Sequence, residues 1–354
     1  MRIGVDYRLA NRHLGGMAVY LRSLVGTLKE IDKQNDYVLF DDNPTGSPGF
    51  KKHAWTVIWE HIWLHLCLPY LFVKEKIKIA YFPNPPVSFF ITIPTILTIA
   101  DVSFLHDASM PRWTKWYLWI MYFLSAHKAR VITTLSKNSK QDIAKFFNVN
   151  LDKIYVTPLA APDTIRRYKT KVKGLPKYVL TVPGTFIRRK NVEETVLAFS
   201  NLSVKTMKDY QLLIVGHTQG KDFEKLKLFM AEKDMSDKVI FTGRVNDLEL
   251  SRLYSQAKLF VCSSLYEGFG LPILEAMRCG TPVISYNNSS LPEVVGNAGI
   301  LVNNVEELEK AMIDVLRNTK LQARLRSLGL KRASLFSWRK TAACFLTVLK
   351  ENVL

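Results

Sequence analysis

Apolar residues along this chain fall into short continuous runs, separated by longer stretches in which they recur every three or four positions. A short apolar run bounded by turn residues suits a strand covered on both faces, and the longer period suits a helix lying on that sheet. In the first half the pattern predicts strands over residues 2–6, 37–40, 79–82, 95–99 and 130–134, with a helix over 18–31 that follows a loop containing Gly15 and Gly16. In the second half it predicts strands over 177–182, 210–215, 238–241, 258–262 and 282–285. Helices are predicted there over 192–202, 223–233, 247–256, 272–278, 305–317 and 321–328. Such alternation implies α/β domains with doubly wound parallel sheets, which take ligands at the carboxyl ends of their strands. The 354 residues are enough for two domains. The predicted division is an N-terminal domain over 1–160, a linker rich in proline and cations over 161–176, a C-terminal domain over 177–336, and an amphipathic helix over 337–354 able to cross back to the N-terminal domain.

Charge narrows the choice of partner. Lys and Arg number 49 against 31 Asp and Glu, a net charge of +18. That excess favours nucleic acid, anionic lipid or phosphorylated substrates without choosing among them. The basic residues are dispersed and form no nucleic-acid module, so no nucleic-acid partner is expected. Cys67, Cys262, Cys279 and Cys344 form no Cys-x-x-Cys pair, which fits reduced thiols in a cytoplasmic protein. The opening MRIGVDYRLA has no signal-peptide core, and no apolar run reaches the ~18–20 residues of a spanning helix. Residues 113–130 and 55–72 are rich in aromatics and flanked by cations. They suit core helices of the N-terminal domain, or segments lying on the anionic inner face of a membrane. The charge favours peripheral contact of the second kind.

The most informative segment is residues 258–280, KLFVCSSLYEGFGLPILEAMRCG. A buried strand runs into a glycine-bearing loop, and Pro272 starts a helix. The free N–H groups and positive end of that helix suit a phosphate. Glu267 lies in the loop, and Glu275 is expected in the first helical turn. A carboxylate accepts hydrogen bonds only, which suits the gripping of sugar or ribose hydroxyls. Glu275 would equally serve the helix dipole alone. The second segment, VPGTFIRRKN over 182–191, ends a strand at a Pro-Gly turn and sets a basic cluster before the next helix. Arg189 and Lys190 are expected in the same crevice as Glu267, where they would neutralise a diphosphate. Arg188 suits a solvated loop. His61 and His65 are read as helix-face residues without a third metal ligand, and Asp41-Asp42 as a turn. Neither an Asp-x-Asp pair nor a P-loop occurs.

The stretch from Glu267 to Glu275, EGFGLPILE, resembles the Glu-x7-Glu motif of retaining glycosyltransferase family 4. PGTFIRRKN resembles that family's phosphate-binding segment, Gly243-Arg244-Val245 its turn beside the nucleotide base, and TLSKNSKQDI over 134–143 the end of its N-terminal domain. Leu291-Pro292-Glu293-Val294 and Phe336-Ser337-Trp338 fit its usual sequence too. The resemblance implies the GT-B fold, two Rossmann-like domains facing across a cleft. It implies a nucleotide-diphosphate sugar as co-substrate with no further cofactor and no metal, and a glycan or lipid-linked acceptor. Glu267 would touch the donor sugar and Glu275 the ribose. Arg189 and Lys190 would hold the diphosphate. Gly184 and the backbone of Phe269, Gly270 and Leu271 would line the donor site, Val245 would border the base, and Gly15 and Gly16 would face the donor. Asp101 would stand near the acceptor as a catalytic candidate. One departure concerns Ala100, which occupies the position of the family's usual histidine. His106 would replace that histidine only if its loop folds back, and it otherwise reads as a surface residue. The activity implied is retaining sugar transfer in polysaccharide or lipid-linked glycan synthesis. The alternative is a catalytically impaired partner protein that binds sugar nucleotides.

Overall fold

A computed structural model of the chain describes residues 1–12, 16–41, 59–169, 174–202 and 210–353. They form two units: Met1–Val102 with Pro111–Leu159 and Ser337–Leu354, and Ser103–Met110 with Ala160–Phe336. Gly15 and residues 55–58 and 170–173 lie outside the described residues.

The first unit opens with β1 (Arg2–Asp6), α1 (Arg8–Arg12), α2 (Gly16–Ile31) and β2 (Asp36–Phe40). A π-helical turn, Trp63–Cys67, leads into α3 (Leu68–Lys74). Then come β3 (Ile79–Phe82) and β4 (Thr95–Thr98), and, after α4 (Ser103–His106), which belongs to the second unit, α5 (Arg112–Lys128), β5 (Val131–Thr134), α6 (Lys137–Phe147) and β6 (Ile154–Val156). The strands pair in parallel in the order β2-β1-β3-β4-β5-β6. All residues of β3, β4 and β5 are buried, which is why these strands read as unbroken apolar runs. Polar side chains inside the sheet pair with one another, as Thr98 Oγ1 does with Thr133 Oγ1 at 2.7 Å and with Tyr81 Oη at 2.9 Å.

The second unit contains β7 (Lys177–Gly184), α7 (Val192–Ser200), β8 (Tyr210–Gly216), α8 (Lys221–Glu232), β9 (Val239–Gly243) and α9 (Asp247–Gln256). It continues through β10 (Leu259–Cys262), α10 (Leu271–Arg278), β11 (Val283–Tyr286), α11 (Leu291–Val295), β12 (Ile300–Val302), α12 (Val305–Arg317) and α13 (Thr319–Ala333). Its parallel sheet has the order β12-β11-β10-β7-β8-β9. The chain builds outward from β7 through β8 to β9, then returns to the other side of β7 and builds through β10 to β12. The order therefore reverses between β7 and β10, and the loops after those two strands lie side by side there.

Two stretches differ from the sequence reading. The segment read as a linker is held for its first half against α9. Ser251 Oγ donates to Thr164 O at 3.3 Å, Tyr168 N donates to Ser255 Oγ at 2.9 Å, and Ile165 is 1% exposed. Such packing of non-periodic chain leaves no hydrophobic rhythm to read. The three-residue strands β6 and β12 are likewise too short to show one.

The final helix, α14 (Trp338–Asn352), packs in the first unit. Ser337 caps it by accepting from Lys340 N. Phe345, 1% exposed, sets its ring against Tyr81 with centroids 4.9 Å apart, and Thr341 Oγ1 donates to Pro158 O at 2.6 Å. Phe345→Ala would leave a void beside β3 and is expected to destabilise the protein by about 3–5 kcal/mol. Urea unfolding followed by far-UV circular dichroism checks it, and a cost below ~1 kcal/mol would show that the helix is not a core element.

Candidate functional site

The loops after β7 and β10 meet where the strand order reverses. After β7, a 3-10 turn over Arg188–Lys190 leads into α7. After β10, the chain runs through Ser263 and Ser264 to Glu267. Leu265 N donates to Arg189 O at 2.8 Å, Ser263 Oγ donates to Asn191 O at 2.7 Å, and Ser263 Oγ also pairs with Thr195 Oγ1 at 2.7 Å. These bonds fix one loop to the other before any charged side chain is considered.

The charges then converge. Lys190 Nζ lies 2.6 Å from Glu267 Oε1 and Arg189 Nη1 lies 3.5 Å from Oε2, with all three side chains at most 15% exposed. Ser264 Oγ also donates to Glu267 Oε1 at 2.8 Å, and Arg189 Nη1 donates to Tyr266 O at 2.6 Å. Burial alone would raise the Glu267 pKa, but Lys190 and then Arg189 outweigh it and hold the carboxyl below its ordinary value. Glu267 is therefore an anion in this setting. Two cations against one carboxylate leave about one positive charge for a ligand.

The β11–α11 loop supports Glu267 from the other side. Glu267 N donates to Ser289 Oγ at 3.0 Å, and Ser290 Oγ donates to Glu267 O at 2.7 Å. Sequence reasoning passed over Ser264, Ser289 and Ser290. The polar cluster NNSS over 287–290, following a buried strand, was the available signal.

Helix α10 begins beside this network. Its N-cap, Gly270, has φ 100° and ψ 43°, and a Cβ there would stand 3.0 Å from Leu291 Cδ2. Backbone geometry and space thus both call for glycine. Phe269 buries its ring against Phe336, with centroids 5.8 Å apart, so the turn is anchored from below. No side chain caps α10, nor α7 or α8. By contrast Asn246, Asn304 and Asn318 cap α9, α12 and α13. The helices that follow β7, β8 and β10 therefore present open N-terminal amides at the carboxyl edge of the sheet, an arrangement suited to an anion. The Asn191 amide nitrogen, at the head of α7, is buried and has no partner among the described residues.

Glu275 differs from expectation. The helix starts at Leu271, so Pro272 is its second residue and Glu275 lies beyond the first turn. Its carboxylate is 8% exposed and accepts from Tyr254 Oη at 2.9 Å. Burial is the main cause of a pKa pushed up from 4.5 to about 7, moderated by Tyr254 and reinforced by Asp247. Tyr254, a fully buried partner, was not foreseen, because it lies on a different helix.

The other candidates are more peripheral. Gly184 ends β7 with φ 72°, and its carbonyl accepts from His217 N at 3.0 Å. Val245 is half-buried between β9 and Asn246, the residue that caps α9 with a full capping box. Gly16 is the exposed first residue of α2, and Asp101 follows β4 in the first unit, near Tyr122, whose pKa it helps raise. Ala100 offers no side-chain donor, and its carbonyl accepts from Thr134 Oγ1 at 3.3 Å. His106, at the end of α4, stacks on Tyr266 with centroids 4.1 Å apart and rings 14° from parallel. It thus stacks on the residue that precedes Glu267 while itself remaining exposed.

The Glu275 titration has a definite sign. The folded chain keeps a proton that the unfolded chain releases, so this group's contribution is complete below pH ~4.5 and is lost as pH rises through about 7. Glu275→Gln removes the titration. Between pH 5 and 8 the stability of this variant relative to wild type is expected to improve by about 3 kcal/mol in urea unfolding. A difference that does not vary with pH would show that Glu275 is not held as described.

Comparison with known proteins places the site in a family. Residues 165–332 match the model for glycosyl transferases group 1. The chain is 33% identical over 228 residues to O-antigen chain mannosyltransferase B of Escherichia coli, the match covering 60% of this chain and 58% of that protein. It is 30% identical over 246 residues to MMP alpha-(1->4)-mannosyltransferase of Mycolicibacterium hassiacum, with 68% and 58% covered. The chain thus spans less than two thirds of the length of these curated relatives. Among solved structures, sucrose-phosphate synthase from Thermosynechococcus elongatus superposes with a TM-score of 0.80 at 19% identity, over 99% of this chain and 98% of that one. Residues 165–332, which hold the site, thus match the glycosyl transferases group 1 model, and the chain's two doubly wound units have the GT-B fold.

Proposed function

We propose that this chain is a retaining hexosyltransferase that moves a sugar, mannose by analogy with the relatives, from a nucleotide diphosphate to a glycan or lipid-linked hydroxyl in polysaccharide synthesis. The observation that carries this reading is the Lys190–Glu267–Arg189 cluster beside the uncapped head of α10. Lys190 and Arg189 would take the diphosphate, together with the backbone amides of Phe269, Gly270 and Leu271. Glu267, ionised and fixed by Ser264, would accept from donor-sugar hydroxyls. Glu275 would accept from the ribose, whose hydroxyls favour its ionised form. Gly184 and Val245 would border the nucleotide, with Gly15 and Gly16 on the glycine loop and Asp101 toward the acceptor.

In the transfer itself, the bond from the anomeric carbon to the diphosphate oxygen breaks as charge grows on the leaving phosphate. Cations and helix amides already aimed at that oxygen stabilise the change without reorganising. The acceptor hydroxyl enters on the face the phosphate leaves, and its proton passes to the departing phosphate oxygen. Charge stabilisation then comes from Arg189, Lys190 and the helix terminus, with no resident metal or cofactor in this scheme. Among the described residues no helix is long and apolar enough to cross a membrane. We place the chain in the cytoplasm, working on acceptors presented at the inner membrane surface. The cation pair and the helix head are both intact, so nothing in the site favours the impaired-partner alternative.

A thermal-shift screen with GDP-, UDP- and ADP-sugars tests the donor. GDP-mannose at a hundred times its Kd is expected to add about 2.7 kcal/mol of stability. Lys190→Ala is expected to lower kcat by about 10²–10³-fold, and Glu267→Gln to abolish transfer with the fold retained. No stabilisation by any sugar nucleotide, or wild-type turnover in Lys190→Ala, would sink the proposal.

A further inference from the structure

Helix α5 reads RWTKWYLWIMYFLSAHK, yet only Ser125 and Ala126 are buried. Trp113 is 73% exposed and Trp116 68%. A helix so apolar would ordinarily be covered on most sides. The exposure does not stop at α5. Leu66, Tyr70 and Val73, on the π-helical turn and α3, are 59%, 66% and 79% exposed, and Phe90 is 64% exposed. Side chains tie these neighbouring elements together. Tyr117 Oη pairs with His61 Nε2 at 3.1 Å. The His65 ring stacks on Phe89 at 4.8 Å and 2° from parallel, and Lys128 Nζ donates to Phe89 O at 2.9 Å. An exposed apolar surface of this extent on one unit marks a partner.

Charge selects the partner. Helix α5 carries Arg112, Lys115 and Lys128 and no acidic residue. Of the acids near it, Glu75 is engaged by Arg2 at 3.1 Å, Glu60 lies beside Tyr117 and Asp101 beside Tyr122. A two-fold contact between copies would set one cationic α5 against another. Anionic headgroups complement the cations, and Trp and Tyr rings fit the boundary between headgroups and acyl chains. We infer that the first unit docks on an anionic lipid bilayer through the exposed aromatic face of α3, Phe89–Phe90 and α5, lying in the interface and not spanning it. This deepens the peripheral-membrane part of the proposed function by naming the surface.

Flotation of the full chain with phosphatidylcholine vesicles, with and without phosphatidylglycerol, tests it. The chain is expected to float with the anionic vesicles at low salt and to be released by salt and by pure phosphatidylcholine. Trp113→Ser and Trp116→Ser, both at exposed positions, are expected to reduce partitioning about tenfold or more each. Arg112→Ala and Lys115→Ala should reduce it about fivefold each. Failure to float with anionic vesicles, or wild-type flotation by the double Trp variant, overturns the inference. So does a lipid-free dimer in sedimentation velocity that the same Trp variants abolish, because a second copy would then be the occupant. Flotation needs no sugar donor, so its failure leaves the transferase reading untouched, and a failed donor screen leaves this one untouched.

Discussion

A carboxylate and an ammonium buried within hydrogen-bonding distance must each recover the solvation they lose, and at Lys190 and Glu267 the recovery comes from each other and from Arg189 and Ser264. Removing one partner of such a pair typically costs about 3–5 kcal/mol, because the other is left charged and dry. The network spans the two loops that follow neighbouring strands, so it holds one against the other. The same constraint gives the site its chemistry: a residual positive charge, in a mostly buried place, next to helix amides that nothing else caps. The diphosphate of the proposed donor would meet charge that is already oriented.

The two glutamates of EGFGLPILE show how environment separates identical side chains. Glu267 is drawn below its ordinary pKa by two cations, whereas Glu275 has only Tyr254 as a donor and is pushed up to about 7. One is a committed anion and the other is nearly balanced between its forms near neutral pH. A ligand donating hydroxyl hydrogen bonds to Glu275 would tip that balance toward the ionised form, so binding there is coupled to proton release. Nine residues of sequence thus carry a fixed acceptor and a responsive one.

Much of this was legible because parallel strands write themselves as apolar runs. The bounds of β1 and β3 follow directly from the pattern, and the meeting of Glu267 with Lys190 follows from β7 and β10 being neighbours at the reversal. The position of Glu275 was misread because Pro272 suits the first helical residue but occupies the second, which moves the carboxylate out of the amides' reach. The partners Ser264, Ser289, Ser290 and Tyr254 escaped notice for another reason. Serine and tyrosine carry no periodic signal, and three of the four come from elsewhere in the chain. His106 was a conditional reading, and its stacking on Tyr266 depends on how its segment packs, which local pattern does not encode.

Helix α5 marks the limit of periodicity as evidence. A helix apolar around most of its circumference is compatible with a domain core, a protein interface or a lipid surface, and its spacing is the same in all three. What separates them is which side chains the rest of the chain covers and what charge flanks the remainder. Here the covered residues are small ones, Ser125 and Ala126, while the indoles of Trp113 and Trp116 stay exposed and Trp119 bonds to the neighbouring helix. The flanking charge on the helix is of one sign. A core would have taken up Trp113 and Trp116, and a self-complementary interface would need acids opposite those bases. A surface that is itself anionic and soft enough to admit indole rings satisfies both conditions without any further partner on the helix.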